Sequence, residues 1–152
     1  MSRIDSIFVT QRGGGRPVRK PYVTARAGLG LDGDRHQGQP ALFPHAVPVE
    51  DQLTLIEAEA LDALLAEHGI ALGPGEHRRN FVTRGVRLND LVGRTFRIGA
   101  IRARGVERCD PCLHLEQLTK PGVLRGLVDR GGLRAEILTD GVVHEGDPLT
   151  PE

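Results

Sequence analysis

The chain has 152 residues, 39% hydrophobic and 26% charged, a composition that fits a globular chain rather than a disordered one and gives one domain, residues 1–152, enough apolar material for a core. Its 20 basic and 20 acidic side chains cancel, which argues against a non-specific nucleic-acid binder. No apolar run is long enough to span a bilayer, and Met1–Thr10 carries Asp5 and no apolar signal-peptide core, so a cytoplasmic protein with neither a membrane nor a nucleic-acid partner is expected.

Taken in order, Ser6–Thr10 reads as a strand and Gln11–Lys20, with three successive glycines, as a loop. Pro21–Ala27 alternates weakly and reads as a strand; Leu29–Gln39 is dense in glycine and charge and reads as a loop. Three prolines keep Pro40–Pro48 out of a regular helix. Gln52–Ile56 is a short strand. Glu57–His68 is the clearest helix, with Leu61, Leu64 and Leu65 forming a core stripe and Gly69 as its stop. Asn80–Thr83 is a strand and Leu88–Leu91 a turn or short helical segment. Thr95–Ile98 and Ala100–Val106 are strands about Gly99, and Leu113–Leu118 and Leu124–Arg130 short helices. Leu133–Leu138 and Val142–Val143 carry a hairpin signal over Asp140-Gly141. Twenty glycines, ten prolines and scarce aromatics fit many short strands around an aliphatic core. The expected fold is mainly β, a closed β-barrel with a few short peripheral α-helices.

Both cysteines lie in Arg108-Cys109-Asp110-Pro111-Cys112. Asp110-Pro111 reads as a helix N-cap followed by proline at the first helical position, which puts Cys112 in the first turn; Arg108 flanks the pair. Both features favour a thiolate. A redox dithiol, a metal ligand, a single nucleophilic Cys112 and an inert buried thiol all remain open. A zinc site lacks a second ligand pair. Three further segments carry candidate binding residues. Leu31–Gly38 packs Asp34, Arg35 and His36 between glycines. Arg79 and Asn80 stand where a strand begins, a place for holding an anion. Arg134 follows a glycine pair and either points at the same pocket or pairs with Glu136. Glu145-Gly146-Asp147 reads as a turn.

Six pieces in this order resemble the MOSC domain, named for the C-terminal domain of molybdenum cofactor sulfurase. They are LDGDRHQG at 31–38, RRNFVTRGV at 78–86, LNDLVG at 88–93, Pro111-Cys112, GGLRA at 131–135 and GVVHEGD at 141–147. The resemblance runs from about residue 25 to 152 and points to the small stand-alone bacterial members. It implies a closed barrel. It also implies molybdenum cofactor (molybdopterin), with Cys112 as sulfur carrier or molybdenum ligand and Asp34, Arg35, His36, Arg79, Asn80 and Arg134 around it. Cys109 is an addition to the one-cysteine pattern and suggests a resolving thiol. Persulfide delivery implies a sulfur donor, such as a cysteine desulfurase, and a molybdoenzyme as recipient. The alternatives are a molybdenum-dependent reductase of N-hydroxylated compounds, served by an electron-donor protein, and a non-catalytic cofactor-binding module. The family also carries an association with pyridoxal phosphate, but neither Lys20 nor Lys120 lies in a matched piece.

Thermal melts of Cys109→Ser and Cys112→Ser separate an active-site thiol from a structural pair. An active-site thiol costs little stability, whereas loss of a structural pair costs about 2–5 kcal/mol, by analogy with a disulfide.

Overall fold

The computed structural model describes residues 2–11, 15–34, 37, 52–111 and 113–152, without the side chain of His114. Arg35, His36, Cys112 and the Pro40–Pro48 segment lie outside the described residues. The strands are β1 (Arg3–Val9), β2 (Val18–Arg19), β3 (Tyr22–Arg26), β4 (Gly30–Leu31), β5 (Leu53–Glu57), β6 (Phe81–Arg84), β7 (Thr95–Ile98), β8 (Ile101–Arg108), β9 (Leu133–Ile137), β10 (Gly141–His144) and β11 (Leu149–Pro151). The helices are α1 (Ala58–His68), α2 (Leu113–Leu118) and α3 (Val123–Gly126), and Leu88–Leu91 forms a 3-10 turn.

Eight strands pair in the order β11-β7-β8-β9-β5-β6-β1-β2, and β10-β3-β4 form a second sheet. All neighbours are antiparallel except β5 and β6, which run parallel with α1 between them in sequence. Strand alternation explains the core. Leu53 and Leu55, Leu133, Ala135 and Ile137, and Ile101 and Ala103 all turn inward, where they meet Ile4, Ile7, Phe81 and Phe96. Phe8, Ile56 and Val82 turn the other way and bury against Leu64 of α1, Leu115 of α2 and Val123 of α3. The fold is therefore mainly β, a strongly curled half-barrel sheet with three short helices on its outer face.

The continuous ladders leave this order open, so the expected closed barrel is not shown. An isolated bridge joins Arg3 to Pro148, with Ile4 N–H donating to the Asp147 carbonyl at 2.8 Å and Leu149 N–H to that of Ser2 at 3.1 Å. The expected hairpin over Asp140-Gly141 does not form. Strand β9 lies between β8 and β5, while β10 pairs with β3 in the other sheet. The Asp140 carboxylate accepts the Ala27 N–H at 2.7 Å, so this residue fastens the end of β3 instead of closing a hairpin. Val18–Arg19 and Gly30–Leu31, expected as loop, are strands β2 and β4. Helix α3 ends at Gly126, short of the expected Arg130. Leu64 is fully buried and Leu61 packs beside it, but Leu65 is 53% exposed: it stands at the edge of the apolar arc rather than in its centre.

Gly105 in β8 lets the Leu91–Arg94 segment lie against the strand. Its N–H donates to the Arg94 carbonyl and its carbonyl accepts the Gly93 N–H, at 3.0 and 2.8 Å. A Cβ there would stand 2.0 Å from the Leu91 carbonyl oxygen, which is backbone and cannot swing away. Gly105→Ala is expected to lower stability by about 1–3 kcal/mol or more, read as a lower denaturant midpoint.

Candidate functional site

Two hydrogen-bonded groups meet where the chain runs into β6. The first surrounds Asn80. Its amide oxygen accepts the Thr54 N–H at 3.0 Å and the Thr54 hydroxyl at 3.1 Å. Its amide nitrogen donates to the Phe8 carbonyl at 3.2 Å and to the Asp34 carboxylate at 3.4 Å. An amide has two donor hydrogens and two acceptor lone pairs, and these four bonds use them all. Asn80 thus brackets β1, β5 and the Asp34 loop together. Asp34 is 5% exposed and also accepts the Thr10 N–H at 3.0 Å.

That loop is anchored on both sides of residues 35 and 36. Asp32 is clamped by Arg26 at 2.7 Å, and this guanidinium holds its carboxyl below the usual carboxylate range. Gln37 N–H donates to the Asp34 carbonyl at 3.0 Å, and its side-chain oxygen accepts the Gly33 N–H at 3.0 Å. Arg35 and His36 themselves lie outside the described residues.

The second group surrounds Arg79, a buried guanidinium. Nε donates to the Gly131 carbonyl at 2.9 Å, Nη2 to the Cys109 carbonyl at 3.3 Å and Nη1 to the His77 carbonyl at 3.3 Å. These three acceptors are neutral, so the arginine brings its positive charge into the site without those bonds cancelling it. Cys109 is 2% exposed, and its N–H donates to the Gly132 carbonyl at 2.8 Å. The glycine pair is required by this packing. A Cβ on Gly131 would lie 2.4 Å from the Cys109 carbonyl oxygen, and one on Gly132 would lie 2.1 Å from that of Leu55.

Consecutive residues Arg79 and Asn80 therefore join the Asp34 loop to the cysteine segment. Arg134 lies opposite Thr54 on β5 and Glu107 on β8, with its Nε 3.7 Å from the Glu107 carboxylate. The alternative pairing with Glu136 does not occur: Glu136 binds Arg104 at 2.5 Å. Cys112 lies outside the described residues. Two expectations about its surroundings are corrected. Helix α2 begins at Leu113, so Asp110-Pro111 is not its cap and first residue. Arg108 is held by Asp129 at 2.5 Å and stands 3.7 Å from Asp110, so two carboxylates offset its charge.

Sequence reasoning passed over His77. It is 3% exposed, its ring meets Phe8 edge-on at 5.1 Å, and its Nδ1 accepts the Arg79 N–H at 3.0 Å. The ring is therefore neutral, with its proton on Nε2. Its position between Gly75 and Arg79 was visible, but no local pattern marks a histidine as buried. Among the described residues, no three His, Cys, Asp or Glu side chains gather into a metal-binding group.

A family model for the MOSC domain matches residues 32–150. No curated protein matches the chain. Among solved structures, the chain is similar to the YuaD protein from Bacillus subtilis at 16% identity and a TM-score of 0.81, over 98% of this chain and 94% of that one. It is similar to YiiM from Geobacillus stearothermophilus at 16% identity and a TM-score of 0.70, over 100% of this chain and 75% of the other. YiiM from Escherichia coli gives 16% identity and a TM-score of 0.64, over 97% and 69%. At these identities the structural likeness is one of fold.

Burial and the nearby Arg79 charge push the His77 pKa down from 6.5 to about 4. The unfolded chain takes up this proton first, so stability falls as pH drops from 6.5 toward 4 and levels off below. The displacement amounts to about 3 kcal/mol. His77→Asn, which keeps an acceptor for the Arg79 N–H but does not titrate, is expected to flatten the denaturant midpoint measured across that range.

Proposed function

The chain belongs to the MOSC domain family, and on that premise we propose that it is a cytoplasmic protein that holds molybdenum cofactor or carries sulfur on Cys112. The observation that carries this reading is the Arg79 clamp. A buried guanidinium fixes the Cys109 carbonyl, three residues before Cys112, against the Gly131-Gly132 backbone. It supports a fixed approach to the cysteine and a cationic surrounding for a thiolate.

The described residues fit the cofactor in kind. A pterin that carries its metal on a dithiolene brings most of its own metal ligands, so it needs one soft protein ligand and anion-binding forks rather than a protein metal cage. Cys112 would be that ligand. Arg79 and Arg134, with the Asp34 loop carrying Arg35 and His36, would surround the group. When bound, such a cofactor supplies oxygen-atom and electron transfer, the chemistry of the alternative reductase reading.

In the sulfur-carrier reading, the Cys112 thiolate attacks the outer sulfur of a donor persulfide. A new S–S bond forms on Cys112, the donor's S–S bond breaks, and the donor leaves as a thiolate. The outer sulfur, released as hydrosulfide in the step that follows, would be delivered to a molybdoenzyme. Cys109 would act as the resolving thiol: its thiolate attacks the inner sulfur of the Cys112 persulfide, a Cys109–Cys112 disulfide forms, and hydrosulfide leaves. For the fold, the bonds between residues 2–4 and 146–149 support closure of the curled sheet into a barrel.

The test is to express the parent and Cys112→Ser in a host that makes molybdenum cofactor, then measure molybdenum, pterin and protein-bound sulfane sulfur per chain. Metal and pterin near one per chain in the parent, with metal lost from the variant, supports a cysteine-ligated cofactor. Sulfane sulfur on the parent alone, without pterin, supports the carrier. Neither group on the parent overturns the reading.

A further inference from the structure

A pocket of about 440 Å³ opens between the β1–β2 connection and the end of α2, lined by Arg16, Pro17, Gly73, Glu76, Arg78 and Thr119 among others. Its two arginines come from distant parts of the chain and are held there by different means. Arg78 adopts φ 61°, the left-handed region that a residue with a side chain rarely enters. Its N–H closes a turn onto the Gly75 carbonyl at 2.9 Å. Because of this inverted backbone, Arg78 lines the pocket while its neighbour Arg79 reaches the Cys109 and Gly131 carbonyls. Strain of this kind costs of order 1 kcal/mol or more, and it is commonly found where a side chain must be aimed. Arg16 is set by Pro17, which packs on Gly75 so closely that a Cβ there would stand 2.9 Å from the proline Cβ. Arg16 is exposed and makes no ion pair with any described residue.

Among the described residues that line the pocket, the one acidic side chain is already engaged. The Glu76 carboxylate accepts the Gly73 N–H at 2.5 Å and lies 3.8 Å from the Lys120 ammonium. The Thr119 hydroxyl donates to the Leu115 carbonyl at 2.6 Å, so its hydrogen is already taken up. The balance of charge in and beside the cavity is cationic, and its volume is that of a small-molecule site.

We propose that Arg16 and Arg78 form an oxyanion site for a small molecule bearing a phosphate group. Two guanidinium forks lining one cavity suit such a group by charge and by paired N–H donors. The inference stands without the family reading, because the site needs neither Cys112 nor a bound cofactor. A free phosphorylated metabolite and the phosphate of a pterin cofactor share this chemistry, and the test separates them.

Inorganic phosphate is titrated into the full chain, made in a host that lacks molybdenum cofactor, and binding is read as the rise in thermal midpoint against chloride at equal ionic strength. The parent should show a saturable rise. Arg16→Ala and Arg78→Gly should each weaken the apparent Kd about tenfold, the effect of losing one charged contact. Glycine accepts φ 61° without strain, so the second variant removes the charge while suiting the backbone; Arg16→Ala removes an exposed side chain and spares the fold. Protein made in a host with the cofactor is titrated beside it. Unchanged affinity there assigns the pocket to a free phosphorylated ligand, and lost affinity assigns it to the cofactor's own phosphate. No saturable rise in the parent, or parent-like affinity in both variants, overturns the proposal.

Discussion

The Arg79 guanidinium lies buried where three stretches of chain meet, and each has turned a backbone carbonyl toward it. One stretch is its own turn at His77, one ends β8 at Cys109, and one begins β9 at Gly131. A buried cation is tolerated only where donors and acceptors are matched closely. The positions of those carbonyls are therefore coupled. Gly131, the Cys109 backbone and the neutral His77 ring all accommodate one planar fork in a largely buried space. A side chain at Gly131 would push away the carbonyl of Cys109, and a protonated His77 would place a second positive charge beside the first.

Asn80 performs the complementary task with a neutral group. A carboxamide that satisfies two acceptors and two donors at once is a rigid four-way joint. It ties β1 and β5, the strands flanking β6, to the Asp34 loop. The two adjacent residues thus divide the work: Asn80 fixes sheet to loop, and Arg79 fixes sheet to the cysteine segment. Both lie just before β6, the strand that receives the parallel pairing with β5, so two largely buried strands set the frame in which the functional loops sit.

Much of this was legible in the residues. The core strands Thr95–Ile98 and Leu133–Ile137 and helix α1 announce themselves by period and by terminal glycines, because each buries one face against the rest. Six motif pieces in order pointed to the family. What local pattern did not reveal was partnership. Asp140-Gly141 has the chemistry of a tight turn, yet β10 pairs with β3 because β9 already has neighbours on both edges. Asn80 looked like an anion ligand because strand-end amides are often free, and its four partners come from β1, β5 and the Asp34 loop. Arg108 looked like an activating cation, and Asp129, distant in sequence, takes that charge up. Candidate residues were thus easier to find than the direction in which each one points.

The pairing of β3 with β10 also bears on how the protein is made. Tyr22–Arg26 leaves the ribosome well before its antiparallel partner, Gly141–His144, which is distant in sequence. The same holds for β1, whose Arg3 bridges to Pro148. Local helices need no such distant partners, while the second sheet and the seam beside β1 wait for residues 141–148. Until then the strand edge around Val23 and Ala25, both buried in the finished fold, stays open to water and to other nascent chains. The final architecture therefore calls for folding assistance in the interval between the synthesis of β3 and that of β10.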